Sequence, residues 1–148
     1  MRSTAELMAV LREHGWKVTA QRVAVYEALR DCGTHPTADE VFAIATARIG
    51  TISIRSVYQT LHELAELGEV RAVHIVPGAA RFDTNTTHHD HLVCDVCGEI
   101  TDVVLEHPAL RPDEIGDFRV DSTDVLFRGV CGACRRLRAA PARPAEVS

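Results

Sequence analysis

Two Cys-x-x-Cys knuckles, Cys94/Cys97 and Cys131/Cys134, constrain this chain more than any other feature. Two such knuckles supply the four thiolates of a tetrahedral Cys₄ zinc site, so closing it pins a hairpin to a segment near the C-terminus. A redox dithiol would want an electropositive helix N-terminus after a strand, whereas Asp95 and Glu99 flank the first knuckle. Disulfides fit no better, because the opening MRSTAELMAVLREHG alternates charge with apolar residues where a secretory leader would be uninterrupted. Cys32 is left over and is expected as a small core hydrophobe at a helix end.

Upstream of the first knuckle, RFDTNTTHHDHLVCDVCGEITD packs three histidines and four aspartates into residues 81–102. His89 and His91 are two apart, which puts them on one face of a strand beginning there, and Asp83 and Asp102 bracket them. Imidazoles and carboxylates without a thiolate suit Mn²⁺, Fe²⁺ or Zn²⁺ in an open geometry. His88 and Asp90 point the other way, toward solvent or an additional ion. The expectation is a closed structural zinc site beside a second, exchangeable one.

The N-terminal half has a different periodicity. Ser3-Thr4-Ala5-Glu6 and Thr37-Ala38-Asp39-Glu40 are capping boxes, and Thr19 and Ser53 are N-caps, so four helices are predicted before Gly68. On the fourth, Ile54, Val57, Leu61, Leu64 and Ala65 form an apolar face, and Arg55, Ser56, Gln59 and Thr60 a polar one with Tyr58 at its margin. Glu69 to Val76 alternates as a strand, Pro77 to Ala80 is a turn, and Arg81-Phe82-Asp83 is the partner strand. Helices followed by a two-stranded hairpin make a winged helix-turn-helix.

Beyond Asp83, strands are predicted at 91–94, 100–104, 118–120 and 124–128, with a short helix over 108–115. The fold class is therefore α+β, with a winged-helix domain over residues 1–80, a metal-binding α/β domain over 81–138, and an aperiodic, proline-bearing tail over 139–148. Residues 1–80 hold eight Arg/Lys against nine Asp/Glu, and residues 81–148 eight against twelve. Bulk charge thus gives nucleic acid no pull, and any DNA contact must come from locally placed basic residues. No apolar run approaches the roughly 18–20 residues of a membrane span, so no membrane partner is expected, and the chain is placed in the cytoplasm.

HHDHLVCDVCGEI at 88–100 with C-x-x-C at 131–134, HPTADEVF at 35–42 and SVYQTL at 56–61 together resemble the ferric uptake regulator family over about residues 5–136. The resemblance implies a homodimeric, metal-dependent repressor that binds a palindromic operator in double-stranded DNA, not an enzyme and with no small-molecule substrate. It implies an N-terminal winged helix and a C-terminal dimerisation domain. Its regulatory Fe²⁺ or Mn²⁺ would be held by His35, Asp83, His89, His91 and Asp102, and its structural Zn²⁺ by Cys94, Cys97, Cys131 and Cys134. His35 enters only this way, since a histidine between a helix end and Pro36 otherwise reads as a loop residue; it would be the only ligand from the first domain. Arg55, Tyr58, Gln59 and Thr60 are expected at the major groove, with Lys17 and Arg22 near the backbone.

Asp83 and Asp102 resemble the peroxide-sensing branch, in which Fe²⁺ and peroxide oxidise a ligand imidazole, here His35 or His89; the alternative is an iron-responsive repressor of metal-uptake genes. Thr123 stands where many relatives carry a histidine of an additional site, which weighs against one using His88 and Asp90. Two blander classes remain. A metallohydrolase of the H-x-H-x-D-H type would need histidine where Thr86 stands, and a zinc-ribbon module without a DNA target is favoured only by the neutral charge.

Overall fold

The computed structural model describes residues 1–33, 35–74, 78–106, 116–119 and 123–139. The chain divides into two compact units, Met1–Thr87 and His88–Ser148.

The first unit holds α1 (Thr4–Glu13), α2 (Ala20–Asp31), α3 (Ala38–Ile49), α4 (Ile54–Glu66) and the strands β1 (Arg71–Val73) and β2 (Arg81–Asp83). Each helix begins on its expected cap. Ser3 and Thr37 accept from the backbone N–H of Glu6 and Glu40, whose carboxylates return to the cap N–H groups at 2.7 Å. Thr19 and Ser53 accept from Arg22 and Ser56. The apolar faces close on one core, in which Leu7, Leu11, Val25, Tyr26, Leu29, Val41, Val57, Leu61 and Leu64 are buried and Val70 and Phe82 add the hairpin. A fully buried side chain of this size contributes about 1.5–3 kcal/mol, so packing rather than intrinsic propensity holds these short helices.

β1 and β2 pair antiparallel, Ala72 opposite Phe82 and Arg71 opposite Asp83. The first strand is shorter than expected. Glu69 and Val70 are buried instead of alternating, with Glu69 ion-paired to Arg2 and 3.5 Å from the Tyr26 hydroxyl; residues 75–77 lie outside the described ones. Because β2 is bonded to β1, the first unit runs to Thr87 rather than residue 80, and Asp83 belongs to it. His35 is therefore not its sole candidate ligand.

In the second unit β3 (Asp90–Cys94) is central, antiparallel to β4 (Ile100–Val103) and parallel to β5 (Leu126–Gly129), in the order β4-β3-β5. The knuckle from Cys94 to Gly98 joins the first two strands, with the Gly98 N–H on the Cys94 carbonyl at 2.9 Å and a left-handed Gly98 at φ 74°. Phe118 and Arg119 form no strand, since β5 takes the free edge of β3 and Phe118 is left exposed. The predicted helix over 108–115 falls outside the described residues, as does the tail over 139–148 apart from Ala139, where a further helix, α5 (Gly132–Ala139), not expected from the sequence, ends. Among the described residues no helix is long and apolar enough to cross a membrane.

Candidate metal centres

The four knuckle cysteines converge. Their sulfurs all lie within 4.8 Å of one another, and Cys97 Sγ is 3.9 Å from Cys131 Sγ. Four sulfurs at about 2.3 Å from a tetrahedral zinc ion stand about 3.8 Å apart, so the set already has the size of a Zn²⁺ cage. The hairpin supplies Cys94 and Cys97, and α5 starts between Cys131 and Cys134, where backbone N–H groups point at sulfur: Cys131 N–H at Cys94 Sγ, 3.3 Å, and Cys134 N–H at Cys131 Sγ, 3.5 Å. The N–H groups of Cys131, Cys97 and Val96 draw the Cys94 thiol down to about 6. Its neighbours have the opposite effect on Cys134, which the Cys131 and Cys97 thiols push up to about 12. Four thiolates this close repel one another, and a divalent cation at their centre is the species that allows all of them to ionise.

The imidazole and carboxylate candidates are best described unit by unit. In the second unit His89 precedes β3 and His91 lies on it, and their Nε2 atoms are 3.1 Å apart with rings edge to face at 70°. Two nitrogens about 2.1 Å from one ion at right angles would be about 3 Å apart, so the pair has chelating geometry. Asp102 sits on β4 opposite His91, and its Oδ1 is 3.6 Å from His89 Nε2. In the first unit His35 Nε2 is 3.8 Å from Asp83 Oδ1, beyond hydrogen-bond length but in range for two donors on a shared cation. Asp83 Oδ1 also accepts from Asn85 N–H at 2.7 Å. His35 has φ 56°, the one left-handed non-glycine among the described residues. That conformation is a signal no sequence motif carries.

The polar face of α4 is mostly as expected. Arg55, Tyr58 and Gln59 are exposed, as is Lys17 at the mouth of a shallow cavity of about 350 Å³ lined by Trp16, Ser56 and Gln59. Two of the residues expected at DNA are placed differently from the exposed ones. Thr60 is buried and its hydroxyl donates to the Ser56 carbonyl at 2.9 Å, because helical spacing turns position 60 toward Val57 and Leu61. Arg22 is committed inside the unit: its Nε and Nη2 reach both carboxylate oxygens of Glu63 at 2.7 Å, and its guanidinium lies 5.9 Å from the centre of the Trp16 ring. Glu63, which also accepts from Gln59 Nε2 at 3.1 Å, was not picked out from the sequence.

The model of the ferric uptake regulator family matches residues 13–123. The chain is 33% identical over 135 residues to the peroxide-responsive repressor PerR of Staphylococcus aureus, covering 88% of this chain and 90% of that one. The protein belongs to the ferric uptake regulator family. Two solved family structures resemble it. The Vibrio cholerae ferric uptake regulator is 29% identical with a TM-score of 0.66, covering 84% of this chain and 98% of that one. The Campylobacter jejuni peroxide stress regulator is 28% identical with a TM-score of 0.62, covering 86% and 98%. The family match ends before the second knuckle, so the four-sulfur convergence rests on this chain's own geometry. Of the residues considered for an additional site, His88 and Thr123 are exposed, and buried Asp90 accepts from Leu105 N–H at 3.3 Å.

Proposed function

We propose that this regulator is a metal-dependent transcriptional repressor that senses peroxide. Cys94, Cys97, Cys131 and Cys134 hold a structural Zn²⁺. His35 and Asp83 from the first unit, with His89, His91 and Asp102 from the second, are the ligands of one exchangeable Fe²⁺ or Mn²⁺. The observation that carries the reading is the His89–His91 nitrogen pair with the Asp102 carboxylate beside it. Bound Fe²⁺ would supply the electron that cleaves peroxide, with His35 and His89 as the imidazoles oxidised, and Mn²⁺ would supply no such chemistry.

With ligands from both units, occupancy biases which conformations the protein visits, and DNA affinity follows by linkage. The first unit is the reader, with Arg55, Tyr58 and Gln59 on the exposed N-terminal part of α4 facing the major groove and Lys17 the phosphates. The second unit is the dimerisation domain. Leu92 on β3 and Phe127 on β5 are paired in register and exposed at 41% and 37%, an apolar pair suited to burial against a second copy. A two-fold dimer calls for a palindromic operator. Cysteines kept as zinc ligands and a DNA partner fit the cytoplasm.

The 29% identity to the Vibrio cholerae ferric uptake regulator favours a second reading, iron-responsive repression without ligand oxidation. A gel shift on palindromic operator DNA with Mn²⁺, Fe²⁺, and Fe²⁺ plus peroxide tests both. The proposal expects binding with either metal and loss of the Fe²⁺ complex after peroxide, with one oxygen atom gained on His35 or His89 by mass spectrometry. Release without a gain on either histidine overturns peroxide sensing, and binding indifferent to metal overturns both readings.

A further inference from the structure

His35 stands in a left-handed conformation that side chains rarely adopt, so something must hold it there. The restraint comes from β2. Phe82 N–H donates to the Pro36 carbonyl at 2.8 Å, and Thr37 and Arg81 form an antiparallel bridge, so residues 35–37 run beside the strand. Arg81 then closes the contact with its side chain. Its Nη1 donates to the His35 carbonyl at 3.3 Å and lies 3.4 Å from Glu40 Oε2. That Glu40 oxygen also accepts from Thr37 N–H and Oγ1 at 2.7 and 2.9 Å, completing the cap of α3. Two residues past Arg81 the same strand delivers Asp83, whose carboxylate is 3.8 Å from the His35 ring.

We propose that Arg81 is a positioning residue of the regulatory metal site, clasping the His35 carbonyl to Glu40 so that the His35 imidazole and the Asp83 carboxylate are presented together by β2. The inference rests on the reading of His35 and Asp83 as ligands. It makes the wing hairpin part of the metal site: the strand that ends the wing carries one ligand and fixes the backbone of the other. Metal occupancy and wing order are then coupled inside the first unit.

The test uses full-length, zinc-loaded protein and Mn²⁺ titration, with the visible spectrum of the Co²⁺-substituted regulatory site as a second readout. Loss of a residue that orients a ligand lowers metal affinity by about 10–100-fold. Arg81→Ala is expected in that range with an altered Co²⁺ spectrum, and Arg81→Lys to recover part of both by restoring a cation beside Glu40. Should Arg81→Ala fail to fold or to hold zinc, Glu40→Gln replaces it, since glutamine keeps the cap while removing the charge that anchors Arg81; a several-fold loss of Mn²⁺ affinity is expected. His35→Ala separates the two levels of the argument. Wild-type affinity and spectrum in Arg81→Ala, or in Glu40→Gln where it stands in, alongside loss of both in His35→Ala overturn the role of Arg81 alone. Wild-type behaviour in His35→Ala overturns the ligand assignment on which it rests.

Discussion

Arg22 forks onto Glu63, Nε to Oε2 and Nη2 to Oε1 at 2.7 Å each, and so fastens α2 to α4 behind the exposed Gln59. Both side chains are largely covered, at 19% and 15% exposure, which places the pair between a surface ion pair worth under about 1 kcal/mol and a buried one costing about 3–5 kcal/mol to break. Glu63→Gln is expected to cost about 1–2 kcal/mol in denaturant unfolding. Hydrogen bonds from Arg22, then from Gln59, hold the Glu63 carboxyl below its ordinary range. A carboxyl depressed on folding contributes fully above its unfolded value, about 4.3, and loses that contribution as pH falls through the folded one. The wild type should therefore lose stability below about pH 5 more steeply than Glu63→Gln, and equal acid limbs would show that the fork carries no net stability.

On α4 the exposed and buried halves of the polar stripe should separate in DNA binding. Arg55→Ala is expected to weaken operator binding by about 1–3 kcal/mol if it contacts a base, or to lower the salt dependence by about one phosphate contact if it does not. Thr60→Val keeps the volume and removes only a hydroxyl that bonds within its own helix. It should leave operator affinity within about twofold while costing about 0.5–1.5 kcal/mol of stability. A large affinity loss in Thr60→Val, with stability unchanged, would return Thr60 to the DNA face.

The first unit was legible because its signals are local. Caps at Ser3, Thr19, Thr37 and Ser53 and the Val57/Leu61/Leu64 stripe are written within a few residues of the structure they cause. The zinc cage was legible although it joins distant positions, because each half is a local C-x-x-C and the four thiolates suit one ion. What the sequence hid are relations between distant positions. Arg22 reads as a cation near the DNA backbone until Glu63 is found across two helices, and nothing local to Arg81 points to the His35 carbonyl 46 positions away. The helix after Gly132 was missed because Cys131 and Cys134 draw attention as ligands and the eight residues GACRRLRA are short and poor in large apolar side chains.

Zinc removal should act on one unit and spare the other. The core of the first unit, from Leu7 to Phe82, is drawn wholly from its own residues, whereas in the second the cysteines join the β3–β4 turn to the start of α5. Structural zinc sites contribute on the order of 10–16 kcal/mol of binding energy that is largely folding energy, more than a three-stranded sheet with Leu92 and Phe127 exposed can replace. Chelation at neutral pH, or Cys97→Ser, is therefore expected to erase amide-exchange protection in β3, β4 and β5 while leaving that of α2 and α4 close to the zinc-loaded level. Metal analysis should give one zinc per chain before treatment and none after. Acid would reach the same end by another route. Protons compete with zinc for the thiolates, and bound zinc holds those thiols ionised to lower pH than they would be without it, so acid release should melt the second unit as chelation does. Simultaneous loss of protection in α2 and β3 on chelation would show that zinc holds the whole chain rather than its C-terminal half.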